Sequence, residues 1–461
     1  MHLLKYTRGW TRRHFLEQTA KGIMAAGVIA PLLEVLGNTG SCETAYPPEL
    51  LSIEAYTKGK LKAGQELNAG NVDVVKDLLN PGLYHQIKNE KRACDLAPTE
   101  TRINRLVDSA FFEATLHNKG KYKFGSDGNV WTNDGQPWQG GNPFPEPEHA
   151  EQVLVSNTLS WGKRDAGGYG VKVWDTDAAG NVEYHYQEWY VEWQTVGRTQ
   201  MDPHPYQPGH TNQIRYFPAL VTYPEDLVGT SFLQIWYYDQ RRFPLFYGYV
   251  PDLKRTRSFP TDQRFEPSLP GDITFASDLW MVGDPLLTWG DFKLVGKGPL
   301  LATPASGREG LNKDWSFPLV GGATGKKYFR THLELIPETY CCELRPVNFP
   351  RAPYSKKRVW YDARTQVPVS MLTFDLAGKP WHYKELCLGW WEPKPGMDWP
   401  DTLPNKGFWN LACDQNEDLQ SGRQSHFSWF PVIAGGYKPR ILDPSLFEEY
   451  CSMDALRRLG R

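Results

Sequence analysis

Apolar and polar positions alternate in short runs over most of this chain, and Gly, Asp and Asn separate the runs. That is the pattern of strands joined by tight turns. Lys121-Tyr-Lys-Phe124 and Val130-Trp-Thr132 flank a turn at Asp127-Gly128 and predict a hairpin. A second hairpin is predicted from Gly170–Asp175 and a strand that starts at Val182 and runs on to Gln194. Period two gives this last strand one face of His185, Gln187, Trp189, Val191 and Trp193, and another of Tyr184, Tyr186, Glu188, Tyr190 and Glu192. Both faces are aromatic, and one mixes in carboxylates. Residues 230–240, 245–259 and 326–336 alternate in the same way. Residues 356–391 predict a three-stranded meander turning at Asp362–Thr365 and Leu376–Lys379. Strands joined so tightly pair antiparallel.

Helical spacing is scarcer. Val72, Val74, Val75, Leu78 and Leu79 form a stripe within Asn71–Asn80, which Pro81-Gly82 should stop. A second helix is expected over Thr99–Asp108. A last one follows Asp443-Pro444, with Leu446, Phe447 and Tyr450 on one face. Residues 135–147 read as a loop, and 260–325 as a Pro/Gly-rich tract without clear period. The fold class is therefore mainly β with α: one large antiparallel sheet, curved because long meanders coil, with helices and long loops packed on it.

The N-terminal pattern differs. Residues 1–21 carry Lys5, Arg8, Arg12, Arg13 and Lys21 against Glu17, and Gly22–Leu36 is apolar apart from Glu34. Such a run is short for a membrane span, which takes roughly 20 apolar residues. A basic region followed by a short apolar one describes an export signal. Thr11-Arg-Arg-His-Phe-Leu-Glu17 resembles the bacterial twin-arginine signal, with Arg12 and Arg13 as the pair that is read. This implies export of a folded protein to the periplasm. Cleavage is expected near 41–45, with Cys42 as a less favoured point of lipid attachment. Residues 1–45 are then leader, and 46–461 a single large β-rich domain.

Composition narrows the function. The 461 residues carry a formal net charge of -2, which leaves no electrostatic footprint for nucleic acid. Aromatic residues make up 13%, as suits strands. Of seven cysteines, six lie inside the mature chain (Cys94, Cys341, Cys342, Cys387, Cys413 and Cys451), without a Cys-x-x-Cys, and read as structural disulfides or buried thiols. His204 and His210 share a Pro-rich loop that lacks further metal ligands beyond Asp202. Gly321-Gly-Ala-Thr-Gly-Lys-Lys327 fails the phosphate-loop spacing, with Val320 where a Gly belongs. No Gly-x-Ser-x-Gly elbow occurs. No catalytic residue, metal or cofactor is assigned. The rival readings are a secreted enzyme using His332 or His382 with nearby acids, and a cavity-free scaffold for envelope assembly.

An ordered set of motifs carries a family resemblance. Gly141-Asn-Pro-Phe-Pro-Glu-Pro147, Tyr249-Val-Pro-Asp-Leu-Lys-Arg-Thr-Arg257, Lys293–Lys297, Lys357-Arg-Val-Trp-Tyr-Asp362, Gly378-Lys-Pro-Trp381 and Ala455–Arg461 occur in sequence. Together they resemble the bacterial periplasmic family known as domain of unknown function 1329, whose members are described as outer-membrane lipoprotein-sorting-like. The basic cluster is less dense here than in the family, and Thr331-His332-Leu-Glu lacks a family Arg. The resemblance implies a half-open barrel like that of the lipoprotein-localisation carriers. It also implies a non-catalytic periplasmic carrier or accessory that passes a lipid, a lipoprotein acyl chain or a hydrocarbon between inner and outer membrane. Its partners would be an inner-membrane efflux-type transporter and an outer-membrane β-barrel.

A carrier needs an apolar concavity. The alternating strand faces nominate Trp189, Val191, Trp193, Leu233, Ile235, Tyr237, Leu333, Leu335, Val369 and Met371 as its lining. Lys254, Arg255 and Arg257 are the candidates to meet an anionic headgroup or an acidic partner.

Overall fold

The computed structural model describes residues 31–251, 254–260, 263–267, 269–281, 285–303, 314–349, 351–397, 399–404 and 406–460. Arg12 and Arg13 lie outside the described residues. The long strands are β1 (Ala166–Thr176), β2 (Val182–Gln194), β3 (Gln213–Tyr223), β4 (Ser231–Tyr237), β5 (Leu245–Val250) and β6 (Arg255–Ser258). They continue with β7 (Gly290–Ala302), β8 (His332–Arg345), β9 (Tyr354–Asp362), β10 (Pro368–Asp375), β11 (Pro380–Trp391), β12 (Phe408–Asp418) and β13 (Gln424–Phe430). All belong to one 16-stranded sheet. Its spatial order is β8 through β13 in sequence, then β1 through β6, with β7 paired to the free side of β8. The pairs are antiparallel, except where β8 meets the short strand Cys94–Leu96. Among the described residues the two ends of the sheet do not pair with each other, so it stays open, as the expected half-barrel requires.

Both predicted hairpins form, with Lys123 opposite Trp131 and Val173 opposite Tyr186. So does the three-stranded meander β9–β10–β11. β7 lies within the tract read as aperiodic. Its pairing with β8 shifts register three times along its length, which erases the alternation expected of a regular strand.

Among the described residues the α-helices of six residues or more are α1 (Leu32–Thr39), α2 (Pro81–Lys88), α3 (Ser109–Asn118), α4 (Ala150–Leu159), α5 (Ser445–Tyr450) and α6 (Met453–Leu459). Pro81-Gly82 opens α2 instead of stopping a helix. The Asn80 side chain accepts from the Gly82 amide at 2.9 Å, and proline suits the first helical position. Gly82 is required for packing as well, since a Cβ there would fall 2.3 Å from the Tyr383 ring. The stripe at Val72–Leu78 forms a 3-10 helix, and of Thr99–Asp108 only Ile103–Arg105 does. Asp108 instead caps α3, accepting from Ala110 at 2.9 Å.

Helices and loops cover both faces. Residues 53–96 close the outer face over β8 and β10, while α5 and α6 close it over β2 and β4. The inner face carries the largest core, shared with α1, α3, α4 and residues 265–267, 269–281 and 285–289.

Candidate functional site

Of the proposed lining residues, Trp189, Val191, Trp193 and Leu233, with half-buried Ile235, pack beneath α5 and α6 on the outer face. Leu333, Leu335 and Val369 pack beneath residues 53–96, also on the outer face. Tyr237 is half-buried, with the Arg242 guanidinium 3.6 Å from its ring centroid. Met371 alone belongs to the inner-face core. The ten therefore do not line one cavity. The most apolar strand faces are those that helices cover completely, and for that reason they are the most apolar. Lys254, Arg255 and Arg257 are exposed, at or on the edge strand β6, where charge discourages edge-to-edge pairing.

The face of β2 that mixes aromatics with carboxylates points inward. It is not an open apolar trough, because residues 265–267 and 269–281, with few ladder bonds of their own, cross it as a strap. Tyr186 (β2) donates to the Pro270 carbonyl at 2.8 Å, and Ser425 (β13) accepts from the Ile273 amide at 2.9 Å. Asn416 (β12) donates to Thr274 at 3.0 Å. Lys384 (β11) donates to the Leu279 carbonyl at 3.3 Å, and Lys357 (β9) meets Asp278 at 3.0 Å. Trp280 stacks on Trp161 with centroids 5.7 Å apart. The strap is thus pinned mainly by side chains. Among the described residues it pairs no strand with the sheet; its one bridge, Pro267 with Phe275, is internal.

Burial dominates the electrostatics beneath the strap. It pushes the carboxyl of Glu188 up to about 7, against the opposing effect of the Tyr190 hydroxyl, which donates at 2.6 Å. Burial and the nearby charge of Asp272 push Asp175 up to about 8, and burial pushes Asp272 itself up to about 6. Asp175 accepts from Ser425 at 2.5 Å through one oxygen, while the other has no partner. Burial thus opposes the charged form of all three acids.

The enzyme candidates do not converge. His382 is buried among Phe275, Tyr354 and Trp381, and burial lowers its pKa. His332 stands three strands away, opposite Asp95. His204 pairs with exposed Asp202 at 3.0 Å, and His210 packs edge-on against Phe447. Lys327 of the glycine-rich loop is buried, 3.1 Å from Glu417, and so serves the outer core. Among the described residues no three His, Cys, Asp or Glu side chains gather as a metal site. The cysteines are all free and buried.

The resemblance motifs have structural places. Gly141 has a φ of 76°, and a Cβ there would lie 2.3 Å from the Thr115 amide nitrogen, so the turn demands glycine. Asn142 is held by Thr115 and donates to the Thr365 carbonyl at 3.2 Å, which docks this loop against α3 and the β9–β10 turn. In Lys357–Asp362, Arg358 pairs with Glu343 at 2.8 Å and Asp362 with Arg364 at 2.6 Å. The family model described as protein of unknown function (DUF1329) matches residues 66–430. The chain belongs to the DUF1329 family. No curated protein matches it.

Solved structures similar to the chain include a DUF1329 family protein from Desulfovibrio piger, at 13% identity and a TM-score of 0.41, covering 66% of this chain and 96% of that one. A domain proposed to sort outer membrane lipoproteins, from Vibrio parahaemolyticus, is 12% identical with a TM-score of 0.38, covering 64% and 92%. A LolA superfamily protein from Nitrosomonas europaea is 12% identical with a TM-score of 0.34, covering 65% and 97%. At such identities none of them says what this chain binds. Among the described residues no helix is long and apolar enough to cross a membrane.

Proposed function

We propose that this DUF1329 protein is a non-catalytic carrier that buries a hydrophobic or amphiphilic molecule against the inner face of its sheet. The observation that supports the reading is the strap. An aromatic face of the sheet is closed by irregular chain that, among the described residues, pairs no strand with the sheet and is pinned largely through side chains. Such a cover opens without dismantling the sheet, so the strap holds the ligand's place in the empty protein. Each CH₂ removed from water contributes about 0.8 kcal/mol, so a 16-carbon chain supplies on the order of 10 kcal/mol toward displacing the strap and ordering the tail.

The cellular setting follows from the leader and belongs to the same proposal. Twin-arginine export through Arg12 and Arg13 delivers a folded carrier to the periplasm, between an efflux-type transporter in the inner membrane and a β-barrel in the outer one. The test is solvent extraction of protein purified from the periplasm, followed by mass spectrometry. A stoichiometric lipid or hydrocarbon is expected. An empty extract, together with no uptake of added lipid, refutes the carrier and favours a scaffold.

A further inference from the structure

Under the strap, near Trp280, lies a surplus of hydrogen-bond donors. Arg215 on β3 is only 3% exposed. Its Nη2 donates to the Thr158 carbonyl, while Nε and Nη1 have no partner. Its guanidinium carbon sits 4.1 Å from the ring centroid of Trp161. The indole Nε1 atoms of Trp161 and of its neighbour Trp236, 5.0 Å away, are also buried without partners.

Charge points the same way as the donors. Lys163 is fully buried and donates only to Ser156, at 2.6 Å to the carbonyl and 3.3 Å to the hydroxyl. Its positive charge and that of Arg215 act on each other. Arg164 donates to Asn410 at 2.8 Å and stands 4.0 Å from Glu192. Glu192, which accepts from the Tyr169 hydroxyl at 2.6 Å, is the carboxylate that acts on Arg215. Lys163, Arg164 and Arg215 thus share one carboxylate, Glu192, and burial opposes the charged forms of Lys163 and Arg215, as it does for any buried charge short of a counter-charge; Arg264, 4.9 Å from the Trp236 ring, has Asp278 as its own. What this place lacks is an acceptor carrying negative charge.

We infer that Arg215, with the indole N–H groups of Trp161 and Trp236, seats the headgroup of an anionic amphiphile, either a carboxylate or a phosphate. This rests on the carrier reading above and names its ligand class. The planar guanidinium offers two parallel N–H donors to such oxygens. An aromatic track leads away from the seat. Trp161 touches Phe217 (5.6 Å between centroids), Phe217 stacks on Tyr190 (5.4 Å), Tyr190 meets Tyr169 (6.2 Å) and Tyr169 meets Trp429 (5.4 Å). The hydrocarbon tail lies along this track once Trp280 moves off Trp161.

The test titrates the full exported protein with hexadecanoate, hexadecyl phosphate, 1-hexadecanol and inorganic phosphate, read by calorimetry and tryptophan fluorescence. At least one anionic amphiphile is expected to bind 10-fold or more tightly than the alcohol, and the winner identifies the headgroup. In Arg215→Gln the preference for the anion over the alcohol disappears. Equal binding of anion and alcohol by the unaltered protein overturns the inference and leaves the carrier standing. The comparison needs no variant and stands even if Arg215→Gln fails to fold. A variant that folds and keeps the preference also overturns the inference. So does inorganic phosphate binding as tightly as the amphiphiles, which marks a free-anion site. Failure of every amphiphile, the alcohol included, overturns the carrier reading and this one with it.

Discussion

Asp278 of the strap sets its carboxylate 3.0 Å from the ammonium of Lys357 on β9, and both side chains are shut off from water. The Tyr354 hydroxyl donates to the second carboxylate oxygen, and the Trp289 ring lies 4.0 Å from the ammonium. This buried pair fastens the strap to the inner face. Removing one partner strands the other charge, which costs about 3–5 kcal/mol. Asp278→Ala is expected to lower unfolding free energy by that amount and to speed hydrogen exchange over residues 269–281 more than within β9. Uniform acceleration across the sheet would show that the strap has no independent opening.

A second ion pair tests the outer face. Arg92 grips Glu385 with two hydrogen bonds of 2.7 and 2.9 Å, and neither side chain meets solvent. Arg92 also donates to Gln86, which ties α2 to β11. Glu385→Gln or Arg92→Met alone is expected to cost about 3–5 kcal/mol in urea unfolding. The paired apolar replacement Arg92→Met with Glu385→Leu should recover most of that loss, because desolvation offsets much of what the pair contributes. A double variant as unstable as the sum of the two single ones would count against this account.

The acids under the strap give stability a pH dependence of defined sign. Asp175 and Glu188 keep their protons up to about pH 8 and about pH 7 in the folded chain. Unfolded, the same groups ionise near pH 4. The folded state therefore binds more protons between these limits. Their contribution is full below about pH 4 and falls as pH rises toward 8. The Asp175→Asn, Glu188→Gln variant should show a flatter stability curve than the natural chain between pH 5 and 8, and be the more stable of the two at pH 8. Denaturant melts across that range check it; parallel curves would mean that these acids ionise normally in the folded state.

The sheet was legible because its hairpins turn at Ala179-Gly180 and Ala377-Gly378, and because alternation survives in β2 and the meander. The strand β7 escaped because its register shifts three times against β8. The ten lining candidates scatter over both faces of the sheet for a physical reason. Alternation separates the two faces of a strand and does not say which one a helix covers. Trp189, Val191 and Trp193 are the more apolar face of β2, and they lie under α5 and α6. Tyr186, Glu188, Tyr190 and Glu192 form the inner face. What distinguishes that face in the sequence is carboxylates interleaved with aromatics. Arg215 carried no such signal, because its isolation depends on elements distant in sequence.

The N-terminal leader yields the last prediction, because helix packing bears on where the export signal ends. α1 buries Leu32, Leu33 and Leu36, and Gly37 approaches Leu116 of α3. Just beyond it, the Cys42 amide donates to the Thr101 carbonyl at 2.9 Å, the Ile103 amide donates to Gly40 at 2.9 Å, and the Tyr46 hydroxyl donates to Glu338 at 3.2 Å. Cleavage at 41–45 would strip Leu32 and Leu36 from the inner core, at about 1.5–3 kcal/mol each. A lipid on Cys42 would need its sulfur in the membrane, yet the side chain is wholly buried, and burial raises the thiol to about 11. The exported protein is therefore expected to retain Leu32 and to carry an unmodified Cys42. Intact mass and N-terminal sequencing of protein from the periplasm decide it. A chain beginning at Ser41 or later, or a diacylglyceryl group on Cys42, would show that α1 is discarded and that the exported fold closes its core without it.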